Sequence, residues 1–216
     1  MRYLAVGLLL LCSTALQAGD KPFVRVRWKD TTVYISYQGK ALEYNFGDAA
    51  AEQNRNKPYT SLFLADIDTL KTMYLGEEDG SVYMLLNISG PSRGAAGASG
   101  MCGAGTESAL VLFMFDREGE LEEPSVVRYD SCFATIELKA GQDDSPHVDE
   151  ETGKIVTTFL YYRQLKKYDM RKPPPEDAMG EVTVHAAFDP RQPKLGFAIE
   201  ETCVISNSSA ACPAAR

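Results

Sequence analysis

Three short runs near the start of the chain alternate apolar and polar residues at a period of two, and they fit one another in a single register. The runs are Val24-Arg-Val-Arg-Trp-Lys29, Val33-Tyr-Ile-Ser-Tyr37 and Leu42-Glu-Tyr-Asn-Phe46. Successive side chains of a strand point to opposite faces of its sheet, so this period marks a half-buried strand. A turn at Asp30-Thr31 that pairs Trp28 with Val33 also pairs Val26 with Ile35. A turn at Gln38-Gly39 then pairs Ile35 with Leu42 and Val33 with Tyr44. A slip of one residue would send every apolar side chain to the other face. The shared register therefore predicts a three-stranded antiparallel meander, with Arg25, Arg27 and Lys29 on the face opposite the apolar residues.

The rest of the chain extends the pattern. Residues 47–58 lose the alternation, and Asp48-Ala-Ala-Ala-Glu-Gln53 reads as a short helix capped by Asp48. A hairpin runs from Leu70 to Leu75, through Glu77-Glu-Asp-Gly80, to Val82 to Ile88. Ala109 to Phe115 is apolar on both faces, which predicts a central strand. Asp116-Arg-Glu-Gly119 turns the chain into Ser125 to Leu138, and a polar loop from Lys139 to Lys154 leads to a strand from Ile155 to Leu165. Lys172-Pro-Pro-Pro-Glu-Asp177 cannot join a ladder and predicts an extended surface connection. Glu181 to Phe188 and Gly196 to Ile205 close the chain as a hairpin. About nine strands at this spacing predict a mainly β fold: a single antiparallel β-sandwich or open barrel over residues 19–216, with one short helix.

Met1 to Ala18 has the anatomy of an export signal: Arg2, the apolar run Leu4 to Leu11, and Leu16-Gln-Ala18 at the cut. The apolar run is too short to span a bilayer. Cys12 follows Leu9-Leu-Leu11 inside that run rather than a small residue, so it predicts no lipid anchor and is discarded with the signal. The longest later apolar run is Ala109 to Phe115, so the expected product is a soluble periplasmic or extracellular domain without a transmembrane segment. The formal net charge is −8, and losing Arg2 makes it one unit more negative. Such a balance argues against nucleic acid as a partner, because phosphate contacts need clustered Lys and Arg. It keeps an exported protein soluble and leaves room for a basic protein partner.

Cys102, Cys132, Cys203 and Cys212 remain after the signal. An even count in an oxidising compartment predicts two disulfides, and the absence of Cys-x-x-Cys argues against zinc. Four cysteines allow three connectivities. A hairpin centred near Glu118 sets Cys132 opposite about residue 104, close to Cys102. We therefore expect Cys102–Cys132 and Cys203–Cys212, stabilising by about 3 to 4 and about 2 to 3 kcal/mol in the chain-entropy model.

The string Cys102-Gly-Ala-Gly-Thr-Glu107, an apolar strand, and then Tyr129-Asp-Ser-Cys132 resembles a group of small exported proteins of Gram-negative bacteria without assigned activity. The resemblance covers Gly80 to Leu138. It implies a periplasmic domain of unknown function and brings no catalytic residue with it. It also implies a bacterial source, in which the sequons Asn87-Ile-Ser89 and Asn207-Ser-Ser209 carry no glycan.

Two segments stand out as contact candidates. The glycine-rich stretch from Gly90 to Gly105 offers Ser92, Arg93, Ser99 and Met101; it lacks a Gly-Lys-Ser/Thr ending, and neither serine sits in Gly-x-Ser-x-Gly. The acidic stretch Asp143-Asp-Ser-Pro-His-Val-Asp-Glu-Glu151 offers Asp143, Asp144, His147 and Asp149, without the spacing of a calcium loop. The remaining histidine, His185, alternates with Val182, Val184 and Ala186 and reads as the exposed face of a strand. Tyr161, Tyr162 and Tyr168 with Lys166 and Lys167 form a possible aromatic stripe. No pattern selects a metal, a cofactor or a catalytic set. The carboxylates fall in turns, at Glu77 to Asp79, Glu118 to Glu123 and Asp143 to Glu151, where water keeps them ionised. The sequence thus leans away from an enzyme and toward a non-catalytic domain that binds an unknown protein or envelope component. One concrete form is an inhibitor or immunity-type protein against a basic cell-wall hydrolase. The alternatives are an envelope hydrolase using carboxylates or a histidine, and a structural envelope protein.

Overall fold

The structure is a computed structural model that describes residues 24–37, 39–46, 57–62, 64–92, 105–132, 135–139, 146–167, 175, 177–205 and 210–212. Strands β1 (Val24–Lys29), β2 (Thr32–Tyr37) and β3 (Lys40–Asn45) form a separate three-stranded sheet. Its register is the one the alternation dictates: Trp28 faces Val33, Val26 faces Ile35, Ile35 faces Leu42, and Val33 faces Tyr44.

The other strands make one antiparallel sheet. They are β4 (Thr69–Glu78), β5 (Ser81–Pro91), β6 (Thr106–Phe115), β7 (Ser125–Ser131), β8 (Ile136–Leu138), β9 (His147–Val148), β10 (Ile155–Gln164), β11 (Met179–Phe188) and β12 (Phe197–Ile205). From β4 the order follows the chain to β12, except that β9 pairs with β10 off the main path, leaving β8 beside β10. The β4–β5 hairpin closes in two residues between the paired Glu78 and Ser81, and both Asp79 (φ 54°) and Gly80 (φ 79°) are left-handed. That primed turn matches the twist of the strands it joins.

Described residues form twelve strands rather than about nine, and the difference has local causes. Ser125 to Leu138, read from sequence as one strand, breaks in two where Thr135 adopts φ 52°. The polar loop from Lys139 to Lys154 hides β9, which pairs with Ile155 and Val156 of β10. The intervening turn is fastened by the Asp149 carboxylate, which accepts from the backbone N–H of Glu151 (3.0 Å) and Thr152 (2.8 Å). The helix expected at Asp48 lies outside the described residues. Among those described, the only helical segments are single 3-10 turns at Pro58–Thr60 and Pro193–Leu195.

Two cores explain why β5 and β6 are apolar on both faces. On one face Val82, Met84, Leu86 and Ile88 of β5 and Ala109, Val111, Phe113 and Phe115 of β6 pack beneath Val33, Ile35 and Tyr37 of β2. On the other face Tyr83, Leu85, Leu110 and Leu112 share a core with Phe159 and Tyr161 of β10 and Val182, Val184 and Phe188 of β11. The large sheet therefore curls, bringing Tyr74 of β4 against Phe188 of β11 with ring centroids 5.3 Å apart. Its edge strands β4 and β12 are not paired with each other, so the sheet is open rather than a closed barrel. The small meander packs on the face of β5 and β6 opposite the one that meets β10 and β11.

One disulfide, Cys203–Cys212, is described, and it ties the chain returning at Ala211 to β12. Its sulfurs lie against Gly180 of β11, where an added Cβ would sit 2.7 Å from Cys212 Sγ and 2.8 Å from Cys203 Sγ. Cys132 is also disulfide-bonded. The expected partner, Cys102, lies outside the described residues.

Candidate functional site

The glycine-rich segment leaves the sheet at Ser92 and re-enters at Gly105, and a buried polar cluster holds these two ends together. Ser92 N–H donates to the Gly105 carbonyl at 2.8 Å. The Ser92 hydroxyl donates to Glu107 Oε1 at 2.9 Å, and the Ser131 hydroxyl donates to the same oxygen at 2.8 Å. Glu107 Oε2 accepts from Arg128 Nη1 at 3.0 Å, and Arg128 Nη2 also donates to the Pro58 carbonyl. Glu107 and Arg128 side chains are wholly buried. Desolvation holds the Arg128 guanidinium below its ordinary value, opposed by Glu107. Sequence reasoning placed Ser92 among surface contacts; the structure buries it in this clamp. It also shows that Glu107, the last residue of the Cys102 to Glu107 string, has both oxygens engaged as acceptors.

Beside the clamp, Asp130 departs from the rule that the carboxylates sit in watery turns. Desolvation raises its carboxyl above the ordinary 3.8, and Glu107 and Glu137 add to the rise. The strand pairing that brings Ser108 opposite Asp130 creates this environment, because a bulge between Ser108 and Ala109 shifts the register of β6 on β7. A second partly buried cluster lies at the same end of β10 as the clamp. Tyr59 donates to Glu201 Oε1 at 2.6 Å, and Arg163 Nη2 reaches Glu201 Oε2 at 2.7 Å. Tyr59 is raised by burial and by Glu201. These partners are far apart in sequence, so no local pattern announces them.

The described residues of the two contact segments chosen from sequence lie apart. Ser92 and Gly105 lie at one end of β5 and β6, whereas the hairpin from His147 to Lys154 lies at the other, where Ile155 pairs with Phe188. With 11 residues in β5, the separation is on the order of 35 Å along the strand. His147 is exposed, and Asp149 is spent fastening its turn. Arg93, Ser99, Met101, Asp143 and Asp144 lie outside the described residues. His185 is exposed on β11, its Nδ1 3.0 Å from Thr158 Oγ1. The tyrosine stripe divides: Tyr161 is 1% exposed and Tyr162 43% exposed, on opposite faces of β10, while Tyr168 lies outside the described residues.

The hairpin end opposite the clamp gathers an excess of acidic over basic side chains. The turn at Asp79 carries Glu77, Glu78 and Asp79; the next, from Asp116 to Glu123, carries Asp116, Glu118, Glu120, Glu122 and Glu123; the third carries Asp149, Glu150 and Glu151. These turns share one end because antiparallel strands in chain order return every second connection to the same side. Arg117 donates to the Asp79 carbonyl at 2.7 Å, Lys194 lies 3.7 Å from Asp79, and Lys40 lies 2.6 Å from Glu120, so cations stitch the turns together without matching the acids in number. Tyr44, beside Glu123, is pushed up to about 12 by burial and by that carboxylate.

No protein-family model, curated protein or solved structure matches this chain. Any functional reading therefore rests on the molecule itself. Among the described residues no group of His, Cys, Asp and Glu is placed to hold a metal, and no helix is long and apolar enough to cross a membrane.

Proposed function

We propose that this chain is an exported, non-catalytic binding domain that captures a cationic protein through its acidic end, in the manner of an inhibitor or immunity-type protein facing a basic envelope hydrolase. The observation that carries the reading is the convergence of the Asp79, Glu118 to Glu123 and Asp149 to Glu151 turns on one end of a curled sheet. Carboxylates fixed to tight turns form a preset field, which steers a cationic partner and raises its encounter rate. The expected Cys102–Cys132 bridge, the Glu107–Arg128 clamp and the two cores make the scaffold stiff, so little ordering entropy opposes binding.

The test is surface-immobilised binding of a basic cell-wall hydrolase of the lysozyme type to the mature chain and to a Glu120→Lys, Glu122→Lys, Glu123→Lys variant. Saturable binding lost in the variant supports the proposal. Binding unchanged by the reversal, or absent in the unaltered protein across several basic hydrolases, removes it.

One observation favours a second reading, hydrolysis by carboxylates: burial raises the Asp130 carboxyl above its ordinary value, the direction in which a general acid is shifted. Peptidoglycan and glycoside substrates offered to the purified chain and to Asp130→Asn distinguish the two. A turnover that disappears in Asp130→Asn would establish the enzyme.

A further inference from the structure

We propose that the outer edge of β1 is a strand-addition site for an extended segment of a partner protein in which acidic and apolar residues alternate. Among the described residues β1 pairs with β2 alone, so its other side is an edge of the described sheet. Arg25, Arg27 and Lys29 are all exposed on its outer face. In a chain of net charge −8 this row runs against the overall sign. Arg27 is held over the Tyr34 ring at 5.5 Å, which keeps its guanidinium on that face. A groove of about 440 Å³ lies over the face that β1 shares with β2, lined among the described residues by Arg25, Val26, Arg27 and Ser36.

The row specifies its occupant by spacing and by sign. Arg27 and Lys29, two residues apart, stand about 6.8 Å from each other, the repeat of alternate side chains in any extended peptide, so acidic residues at every second position of an added strand meet them one to one. The positions between fall on the other face, where Val24 and Val26 are only half buried and Trp28 is 40% exposed, and apolar side chains there would complete the cover. A second copy of β1 is rejected, because pairing two such edges would set like charges beside one another. Backbone hydrogen bonds along the edge supply affinity, and the charge row supplies the choice of partner.

An octapeptide of alternating Glu and Val is the probe, and Trp28 is the reporter, since it is the chain's single tryptophan and stands on β1. Titration should give a saturable change in Trp28 emission that weakens with salt. Arg27→Glu with Lys29→Glu should lower the affinity by about tenfold or more, and the same double variant should take up an octapeptide of alternating Lys and Val. Both positions are exposed, so an unchanged melting temperature will show that the fold is intact. The acidic-end variant Glu120→Lys, Glu122→Lys, Glu123→Lys should bind the acidic peptide no more weakly than the unaltered chain, which separates this site from the proposed capture of a cationic protein. The inference fails if the acidic peptide gives no saturable signal, as for an edge whose cations only repel other strands, or if the double reversal leaves its affinity unchanged.

Discussion

Glu107 and Arg128 show what a sequence discloses about a single residue. Glu107 is visible as a charge at the threshold of an apolar strand, but its partner lies 21 positions away, and only the antiparallel return of β7 on β6 brings them together. Burying both charges is expensive, and removing one leaves the other uncompensated. Arg128→Met should therefore cost about 3 to 5 kcal/mol in urea unfolding, whereas Arg128→Met with Glu107→Leu should recover most of that loss. Asp130 makes a prediction of opposite sign. Its folded carboxyl is raised above the ordinary 3.8, so the folded state holds the proton more tightly than the unfolded chain does. Stability from this group is present at low pH, declines as pH rises from the ordinary value through the raised one, and stays lost above it. Asp130→Asn should then stabilise the protein at neutral pH, and the gain should vanish below the ordinary carboxylate range; equal stabilisation at both extremes would contradict the burial argument.

At the scale of elements, the meander was readable because three alternating runs and two tight turns all pointed to one register. The β4–β5 hairpin was readable for the same reason. Strand β9 was not: His147-Val148 is too short to show a period, and its position is set by Asp149 and the neighbouring β10. The break between β7 and β8 was equally hidden, because the left-handed Thr135 has no turn signature of its own. The Cys203–Cys212 link was foreseen, but not the glycine beneath it. Gly180→Ala would force the disulfide off β11, at a cost of roughly 1 to 3 kcal/mol from overpacking. That penalty should shrink once the disulfide is reduced, since free thiols can move apart, and melting curves with and without reductant measure the difference.

Across the whole molecule, periodicity forecast an antiparallel β domain but not the curl that brings β4 to β11, because side-chain alternation carries no information about which distant strands share a core. The same gap concealed that Ser92 and Gly105 lie at the opposite end of the sheet from His147 and Asp149, and that the turns gather their carboxylates at the latter end. If that end captures a cationic protein, raising ionic strength from 0.05 to about 0.5 M should slow association far more than it speeds dissociation, as stopped-flow mixing can show, because the Debye length shrinks to a few ångströms. The order of the large sheet has a further consequence. Its strands mostly neighbour one another in the sequence in which they are made, so as the chain emerges, each new strand finds its template already waiting. The nascent sheet always ends in one growing edge, and assembly can proceed like a zipper in a single direction. The contacts of Tyr74 with Phe188, Asp79 with Lys194 and Tyr59 with Glu201 must wait for nearly the whole chain, which makes the curl the final act of folding and leaves the half-built protein as a flatter sheet with its inner face still wet.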